Sequence, residues 1–285
     1  MIDFRIKTFL TLCDTMNYTK TAEKLCITQP AVTQHIKYLE EVYGGKLFSY
    51  KGKLLSKTKK GIVLELYARS MVHNSDNIKK EIMSMDKDRI LKIGATKTIS
   101  QFVLKNKIYN YLKNDEKRNI SLITGNTKEL LKLLEQGKID VSVIEGIFDK
   151  GKYGYKLFKR ETFVGICSKN HSFAGKEINI NDLFKENLIV REKGSGTRNI
   201  FELFLKEKNY SLNNFKKVTE ISDFNIIKQL VLKNMGISLV YFPVIENDKE
   251  LSCFTLKNEK IIHEFNYVYL KDNLFIKEIE DFENA

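Results

Sequence analysis

Two short helical patterns, separated by only three residues, place the strongest constraint on the fold of this chain. Residues 19–25 are typical of a short helix, with Thr19 in position to cap it and Ala22 facing inward. Residues 26–28 interrupt the pattern, and residues 29–42 resume it as a second helix. Two helices joined by so short a turn predict a helix-turn-helix.

The second helix of this pair has one apolar and one polar face. Thr28 can cap it, and Pro30 is tolerated in a first turn because its missing N–H would have no partner there. An apolar stripe recurs at helical spacing at Val32, Ile36 and Leu39. The opposite face presents hydrogen-bonding side chains, at Gln29, Thr33, Gln34 and Lys37. In a helix-turn-helix such side chains enter the DNA major groove, where Gln can pair with adenine and Thr can contact thymine.

A lysine-rich segment follows the two helices. Residues 46–60 hold six lysines and no acidic residue, and residues 1–60 hold 11 lysines and arginines against 5 aspartates and glutamates. After two glycines, the pattern predicts a β-hairpin over 46–58 that turns at 51–53. A basic hairpin in this place is a wing whose side chains contact DNA phosphates, and the candidates are Lys51, Lys53, Lys57 and Thr58. The alternative is a packed pair of helices with a basic surface.

An ordered set of motifs runs through these sixty residues. They are Phe9, Asn-Tyr-Thr-x-x-Ala-Glu-x-Leu at 17–25, Gln-Pro-Ala-Val-Thr at 29–33, Ile36-x-x-Leu39-Glu40, Gly45-x-Leu47-Phe48 and Thr58-x-x-Gly61. Together they resemble the LysR-type transcriptional regulators, which implies an all-α winged helix-turn-helix over 1–60 that binds double-stranded DNA. Thr33 stands where the family usually has Ser, and Tyr50 stands where it usually has an Arg that anchors a phosphate.

Residues 61–86 are compatible with one long helix, since they contain no Pro and no Gly after the first residue. A mostly apolar seam recurs at three- and four-residue steps, at Val63, Tyr67, Ser70, Met71, Asn74, Ile78, Ile82 and Met85. A lone helix of this length cannot keep such a seam in water, so pairing with a second copy is expected. The resemblance implies a dimerisation helix over 61–87 and a homodimer or homotetramer. The alternative is packing on the chain's own C-terminal domain.

The remaining residues, 88–285, alternate short apolar runs with helical stretches, which predicts an α/β domain with mainly parallel strands. The predicted strands are 90–94, 120–124, 141–145, 162–168, 188–191, 217–221, 238–241 and 265–270. The predicted helices are 98–112, 127–135, 198–208 and 225–233. Three strand-to-helix junctions, at 94–98, 125–127 and 191–198, hold small hydroxyl or amide side chains. Because a helix N-terminus favours negative charge, convergence of the three would form a site for a small anion or carboxylate.

The stretches IGATKTI, LITGNTKELLKLLEQGKIDVSVIEG and LIVREKGSGTR resemble the effector-binding domain of the same family. The resemblance implies two subdomains like those of periplasmic binding proteins, subdomain I over 88–162 and 266–285 and subdomain II over 163–265, which enclose a metabolite. The chain would cross between them near 160–163 and 263–265. The GSGTR version is similar to the branch tied to sulfur and carbon assimilation. By motif position the effector contacts are Thr96, Thr98, Asn126, Thr127, Ser195, Gly196 and Thr197, while Lys97 and Arg198 either add charge or are solvated.

Other classes of protein fit the sequence poorly. There is no phosphate-binding G-x-x-x-x-G-K-[ST] loop, no G-x-S-x-G elbow, and the four histidines lie apart without metal-ligand spacing. We therefore expect no enzyme, no cofactor and no metal. The N-terminus lacks the features of a signal peptide, no stretch is long and apolar enough to span a membrane, and the four cysteines are scattered. These features favour a bacterial cytoplasmic protein.

The sequence thus predicts a DNA-binding transcriptional regulator that responds to a small anionic metabolite, with RNA polymerase as a further candidate partner. One alternative is an architectural DNA-binding protein without an effector. Another is a thiol redox sensor that uses Cys167 or Cys253, which would need an exposed thiol of low pKa and a resolving partner.

Overall fold

The computed structural model describes residues 2–52, 54–83, 89–271 and 276–285. The chain divides into two compact units, which are described separately below. The first unit takes in the described residues up to 83, together with 135–137 and 270–271. The second unit takes in the other described residues from 89 onward. Among the described residues, none of the helices combines the length and apolar character that crossing a membrane requires.

The first unit consists of helices and one hairpin. Its elements are α1 (Phe4–Thr15), α2 (Tyr18–Leu25), α3 (Gln29–Val42), β1 (Phe48–Lys51), β2 (Leu54–Lys57) and α4 (Lys59–Met83). The predicted helix-turn-helix is α2 and α3, and the predicted hairpin is β1 paired antiparallel with β2. The prediction that Thr19 caps the first of these helices is wrong. Asn17 is the N-cap, and its side chain accepts a hydrogen bond from the backbone N–H of Lys20 (3.0 Å).

The core of the first unit is built from the apolar stripe of α3 and from α1, a helix that the sequence analysis did not predict. Val32, Ile36 and Leu39 are buried as predicted, and they pack in one cluster with Phe9 and Leu12. Full burial of each such side chain contributes about 1.5–3 kcal/mol. The packing fixes which side of α3 remains in contact with solvent.

Helix α4 has 25 residues and leaves much of its predicted seam open to solvent in the single chain. Val63, Tyr67, Met71 and Ile78 are 42–56% exposed. The polar seam residue Ser70 is instead buried, and its hydroxyl donates to the carbonyl oxygen of Lys271 (2.7 Å). The side chain of Ile82 and the whole of Met85 lie outside the described residues.

The second unit is an α/β structure. Its strands are β3 (Arg89–Thr96), β4 (Arg118–Gly125), β5 (Val141–Ile144), β6 (Tyr153–Ser168), β7 (Glu177–Ile178), β8 (Asn187–Val190), β9 (Lys217–Glu220), β10 (Ser238–Tyr241), β11 (Leu251–Leu256) and β12 (Ile262–Leu270). Its helices are α5 (Lys105–Lys113), α6 (Thr127–Glu135), α7 (Ile180–Leu183), α8 (Gly196–Glu207), α9 (Phe224–Leu232) and α10 (Ile276–Asn284). Short 3₁₀ turns cover Leu212–Asn214 and Phe242–Val244.

The strands of this unit form a mixed arrangement. The large sheet has the order β4-β3-β5-β12-β6-β11-β7, with β10 also paired to β6, and β8 pairs with β9 separately. The prediction of mainly parallel strands holds for four pairs, β3–β4, β3–β5, β8–β9 and β7–β11, and fails at the pairs made by β12, β10 and β11. Strand β3 is parallel to β4 and β5, but β12 runs antiparallel to β5, and β10 and β11 run antiparallel to β6. Each of these antiparallel pairs includes one of the two longest strands, β6 with 16 residues or β12 with 9 residues.

Each of the eight predicted strands has a counterpart, whereas β7 and β11 were not predicted. The helix predicted over 98–112 is interrupted: a π-helical turn covers Ile99–Val103, and α5 follows it. In this turn the N–H of Leu104 donates to the carbonyl of Ile99 (3.0 Å), five residues earlier. Helix α8 begins at Gly196, two residues before the predicted start, so the GSGTR segment includes its first turn.

Candidate DNA-reading face and effector cleft

The polar face of α3 is open to solvent. Thr28, Gln29, Pro30, Gln34 and Lys37 are exposed, and Thr33 is half-buried. The Thr28 hydroxyl accepts from the N–H of Ala31 (3.3 Å), which makes Thr28 the N-cap. Gln29 and Thr33 lie one turn apart and are linked, because the Gln29 amide donates to the Thr33 hydroxyl (3.2 Å). Among the described residues, the hydrogen bonds of these side chains stay within α3 and its cap, so the exposed face can approach base edges.

The predicted wing residues differ in their surroundings. Lys53 and the side chain of Lys51 lie outside the described residues. Tyr50, which replaces the family's usual Arg, is exposed at β1. The Lys57 ammonium is paired with the Glu65 carboxylate of α4 (2.5 Å). The hydroxyl of Thr58 donates to the carbonyl of Lys46 (2.6 Å) and accepts from the N–H of Gly61 (3.0 Å), so this residue joins the hairpin to the first turn of α4.

The base of the wing lies directly against α4. A Cβ atom placed on Gly61 would come 2.1 Å from the carbonyl oxygen of Leu47, closer than any real side chain can approach. Gly61 is therefore required by this close approach, and not by its backbone conformation. It explains the glycine of the Thr58-x-x-Gly61 motif.

A cluster of charges around the buried Arg69 lies between α4, α1 and the wing. The Arg69 guanidinium donates to Asp14 (2.7 Å) and to Glu65 (2.8 Å), and Lys57 completes the cluster. Burial alone would raise the pKa of Glu65, but hydrogen bonds from Lys57 and Arg69 hold that pKa below its ordinary value. We call these four residues the paired cluster, because each charge in it has an opposite charge as partner.

In the second unit, the structure brings two of the three predicted junctions together around a residue that the sequence analysis did not name. Thr98 precedes the π-helical turn after β3, and Thr197 lies in the first turn of α8. Both hydroxyls donate to Oε1 of Glu145, at 3.2 and 3.1 Å, and the two hydroxyl oxygens are 3.1 Å apart. Glu145 directly follows β5, at the edge of the sheet where β3 also ends.

A small cavity lies at this meeting point. It has a volume of about 20 Å³ and is lined by Thr96, Lys97, Gly125, Asn126, Glu145, Arg191, Glu192, Ser195 and Gly196. Four of the seven predicted effector residues, Thr96, Asn126, Ser195 and Gly196, are therefore in its wall, and Thr98 and Thr197 contact the Glu145 side chain. We call this place the effector cleft.

Thr127 lies behind the wall of the cleft. Its side chain packs so closely on Gly146 that a Cβ there would come 2.1 Å from the Thr127 hydroxyl oxygen. Asn126 acts in the N-terminal turn of α6, where its Oδ1 accepts from the N–H of Glu129 (2.9 Å). Thr127 is not in the lining of this cavity, although its buried hydroxyl also lacks a hydrogen-bond partner among the described residues.

Glu145 is enclosed by protein on all sides. Burial raises the pKa of Glu145 to about 7, despite the hydrogen bonds from Thr98 and Thr197 and the positive charge of Arg191, which act in the opposite direction. The backbone of α8 comes close to it, because a Cβ on Gly196 would lie 2.8 Å from Cγ of Glu145. A side chain at residue 196 would therefore displace the carboxylate.

Arg191 provides a buried positive charge in the same wall. Its guanidinium stacks over the ring of Phe224 (4.1 Å) and donates through Nε and Nη2 to the two carboxylate oxygens of Glu192 (2.9 and 3.0 Å). Glu192 also accepts from the ammonium of Lys97 (3.2 Å). Burial would raise the pKa of Glu192, but the contacts with Arg191 and Lys97 hold that pKa below its ordinary value.

Three polar atoms of this wall have no hydrogen-bond partner in the part of the chain that the structure describes. They are the hydroxyl oxygen of Thr96, Oε2 of Glu145 and Nη1 of Arg191. Arg198, by contrast, is engaged away from the cleft, with Glu202 (2.6 Å), Glu220 (2.6 Å) and the carbonyl of Arg191 (3.1 Å). Buried polar groups are nearly always paired, so three unpaired atoms around one cavity indicate a binding site.

The sequence analysis missed Glu145 and Glu192, and it treated Arg191 only as the start of a loop. A signal for Glu145 was present, since polar residues just beyond the carboxyl ends of neighbouring parallel strands tend to form ligand sites. Arg191 and Glu192 gave no periodic signal. Their roles depend on the meeting of a loop with residues almost a hundred positions earlier in the chain.

The two cysteines considered for redox sensing lie on adjacent strands. Cys167 of β6 is opposite Ser252, the neighbour of Cys253 on β11. Cys167 is buried, and burial raises its pKa to about 11, so its thiol is poorly ionised at neutral pH. This environment does not favour the redox alternative.

Comparisons with known proteins agree with this architecture. Residues 5–62 match the family described as "Bacterial regulatory helix-turn-helix protein, lysR family", and residues 86–284 match the "LysR substrate binding domain". The chain is 30% identical to the HTH-type transcriptional regulator CysL of Bacillus subtilis, over 96% of this chain and 93% of that protein. It is 28% identical to the transcriptional activator CmpR of Synechocystis, over 83% of this chain and 77% of that protein.

Solved structures show the same fold at lower sequence identity. A cysteine-to-serine variant of Corynebacterium glutamicum OxyR, with hydrogen peroxide bound, has a TM-score of 0.63 at 20% identity, covering 98% of this chain and 89% of that chain. The regulatory domain of Synechocystis CcmR, solved in complex with 2-PG, has a TM-score of 0.61 at 20% identity and covers 68% of this chain and 95% of that domain.

Proposed function

Because this chain belongs to the LysR family of bacterial transcriptional regulators, we propose that α3 and the wing contact DNA while a small metabolite with an anionic group binds in the effector cleft. The single observation that supports this most strongly is the convergence of Thr98, Glu145 and Thr197 beside the unpaired Nη1 of Arg191. Three segments distant in sequence there enclose a polar cavity that the fold itself does not need.

On the DNA side, the exposed polar face of α3 supports base reading. Gln29, Thr33 and Gln34 are the proposed base contacts, and Thr28 and Pro30 lie beside them. Lys37, Lys51, Lys53, Lys57 and Thr58 are the proposed phosphate contacts. Of these, Lys57 is tied to Glu65 and Thr58 to the hairpin, so we expect Lys37 and the lysines at the wing turn to contribute more.

On the effector side, the first turn of α8 and the guanidinium of Arg191 support binding of an anionic group. Glu192 holds the two other donors of Arg191 and also pairs with Lys97. The remaining donor of Arg191, Nη1, has no partner among the described residues and is the proposed contact for the ligand's anionic group. The complex of the CcmR regulatory domain with 2-PG is consistent with a metabolite site in this type of domain.

A second copy of the chain is the proposed partner of α4. Val63, Tyr67 and Met71 recur at four-residue steps on one face of α4 and are exposed in the single chain. Pairing of two such helices would hold two DNA-reading faces at a fixed spacing, which calls for a two-fold related DNA site. RNA polymerase remains a proposed further partner.

For the ligand to act as a signal, it must bind one arrangement of the protein more tightly than another. A ligand with equal affinity for both arrangements leaves their populations unchanged. Thr98 and Thr197 come from segments far apart in the chain and share Glu145. We propose that the ligand changes how these two sides close, and that the change alters the spacing of the DNA-reading faces in the oligomer.

The test uses the full chain and a duplex selected from a random library. Small carboxylates, sulfate, phosphate and amino-acid precursors are screened by thermal shift, and the best probe is titrated against the protein on the selected duplex. Thr197→Val should leave DNA affinity without ligand unchanged and weaken the ligand response about tenfold, since a donor to the buried carboxylate is lost. Thr124→Val, at an exposed position of β4, is the control. An unchanged response in Thr197→Val would refute the proposed cleft.

A further inference from the structure

The unpaired atoms of the effector cleft include both a positively charged donor and a negatively charged acceptor, and this limits the classes of ligand that can bind. Nη1 of Arg191 is a charged donor, and Oε2 of Glu145 can only accept when the carboxylate is ionised. The side chains that bear them both line the same cavity. A simple anion could pair with Arg191 but would bring a second negative charge next to Glu145.

The charges in the wall of the cavity also balance. Lys97 and Arg191 are positive and Glu145 and Glu192 are negative, so the ionised wall has no net charge. Burial of charge is costly unless each charge finds an opposite partner. A ligand that adds net negative charge would leave part of this set uncompensated, whereas a ligand with one positive and one negative group would not.

The size of the cavity adds a third constraint. At about 20 Å³ it holds roughly one water molecule, so a metabolite must widen it to enter. Glu145 and Arg191 nevertheless lie close enough to share the wall of this small space. The two groups of the ligand that meet them must therefore also be close together, as the ammonium and carboxylate of an α-amino acid are.

We propose that the effector is a small zwitterion of the α-amino-acid class, whose carboxylate pairs with Arg191 and whose ammonium pairs with Glu145. The inference rests on the proposed effector cleft and specifies what it binds. Thr98 and Thr197 hold Oε1 of Glu145 and leave Oε2 for the ammonium. Thr96, with its unpaired hydroxyl, is a further contact for either group of the ligand.

Matched ligands test the proposal without any variant. Calorimetric titration of the full chain compares small L-amino acids such as alanine and serine with their 2-hydroxy and deaminated counterparts. Removal of the ammonium should weaken binding about tenfold or more, because a charged hydrogen bond to a buried carboxylate is lost. Equal binding of the amino acids and the deaminated acids would overturn the assignment of Glu145 while leaving an anion-binding cleft in place. A chain that binds no carboxylate, sulfate or phosphate would overturn the cleft itself.

Variants test which residue recognises the ammonium. Glu145→Gln should abolish the preference for amino acids over hydroxy acids, because the neutral amide cannot pair with the ammonium. Glu202→Gln is the matched control, since Glu202 lies on the same helix α8 that borders the cleft but pairs with Arg198 away from the cavity. A preference that persists in Glu145→Gln would overturn the proposal.

Proton release provides a second measurement on the unmodified protein. Among the described residues, the other titratable groups around Glu145 are Arg191, Tyr241 and His263, together with Lys97 and Glu192 of the cavity wall. An ammonium that pairs with Glu145 expels its proton, so titrations at pH 6 in buffers of different ionisation enthalpy should show release of close to one proton. The released amount should fall towards zero at pH 8.5, and no release at pH 6 would count against the pairing.

Discussion

Each unit of this chain contains a cluster of charges around a buried arginine, but the two clusters are completed differently. In the first unit, Arg69 donates to both Asp14 and Glu65, and Lys57 completes the paired cluster. In the second unit, Glu145 and Arg191 line one small cavity, and Oε2 of Glu145 and Nη1 of Arg191 have no hydrogen-bond partner among the described residues. The two glutamates also differ in pKa. The pKa of Glu65 is lowered below its ordinary value, and that of Glu145 is raised above it.

The difference separates a structural cluster from a binding site. Removing water from a charge is costly, and a cluster that compensates this cost within the chain stabilises one arrangement of its elements. A cluster that leaves part of the cost uncompensated is stabilised when an external group supplies the missing partner. The paired cluster is therefore consistent with a structural role in the first unit, and the unpaired atoms of Glu145 and Arg191 are consistent with the proposed ligand site.

The largest expected effect is on the paired cluster. Arg69→Met should destabilise the first unit by about 3–5 kcal/mol, because Glu65 and Asp14 would lose their shared buried partner. Urea unfolding followed by circular dichroism, with hydrogen exchange of peptides from α1 and α4, measures the loss. Arg5→Met, which removes an exposed pair with Asp3, should cost less than about 1 kcal/mol. If Arg69→Met also cost less than about 1 kcal/mol, the paired cluster would not be a structural cluster, and the distinction from Glu145 and Arg191 would fail.

At Glu145, by contrast, removal of the charge should stabilise the folded state. Its pKa is about 7 in the folded chain against an ordinary value of 4.5, so the folded state loses stability as pH rises from 4.5 to 7. A difference of one in pKa corresponds to about 1.4 kcal/mol, so Glu145→Gln should stabilise the protein by up to about 3 kcal/mol at pH 8. The gain should vanish below pH 4.5.

Unfolding measured from pH 4.5 to 8 checks this prediction, with Glu202→Gln as the control. Arg191 and Tyr241 interact with the Glu145 charge, so the difference between the two curves includes this coupling, whereas His263 contacts the backbone of residue 145, which both proteins share. If Glu145→Gln were less stable than the parent at every pH, Glu145 would be a structural residue like Glu65.

A smaller effect is expected at the exposed polar face of α3. Gln29→Ala should weaken binding to the selected duplex by about 1–3 kcal/mol and leave random duplex and folding stability unchanged. Fluorescence anisotropy at a fixed salt concentration measures the two affinities. Gln101→Ala, an exposed glutamine of the second unit, is the matched control. Equal weakening on both duplexes would mean that Gln29 does not contact bases.

The smallest effect distinguishes two lysines of the first unit. Lys37 is exposed, whereas Lys57 belongs to the paired cluster. Lys37→Gln should reduce the slope of log K against log salt concentration by about 0.9, the value for one phosphate contact. Lys57→Gln should change this slope less, because its charge is already compensated by Glu65. Equal changes would show that the Lys57–Glu65 pair opens when DNA binds.

Prediction from the sequence succeeded where structure follows periodicity. The spacing of Val32, Ile36 and Leu39 defined the buried stripe of α3 and hence its exposed face, because burial of one face dictates the other. It failed at the cap of α2, where Asn17 outcompetes the later Thr19. The long helix predicted over 98–112 is replaced by a π-helical turn and α5, which the pattern of apolar residues does not distinguish from one continuous helix.

The effector cleft was predicted only in part for a related reason. Hydroxyl residues near helix N-termini are visible in the sequence, so Thr96, Thr98, Ser195 and Thr197 were identified. Glu145 and Arg191 owe their character to burial, which depends on long-range contacts. Their importance emerges only when the carboxyl end of β5, the segment after β3 and the start of α8 are seen together.

The close approach of Gly61 to Leu47 has a mechanical consequence. With no side chain between them, and with Thr58 bridging the two backbones, the wing and the first turn of α4 have no slack at their junction. A movement of the first turn of α4 would therefore also move the base of the wing. A side chain at residue 61 would have to push the two backbones apart, which would loosen the connection between the wing and α4.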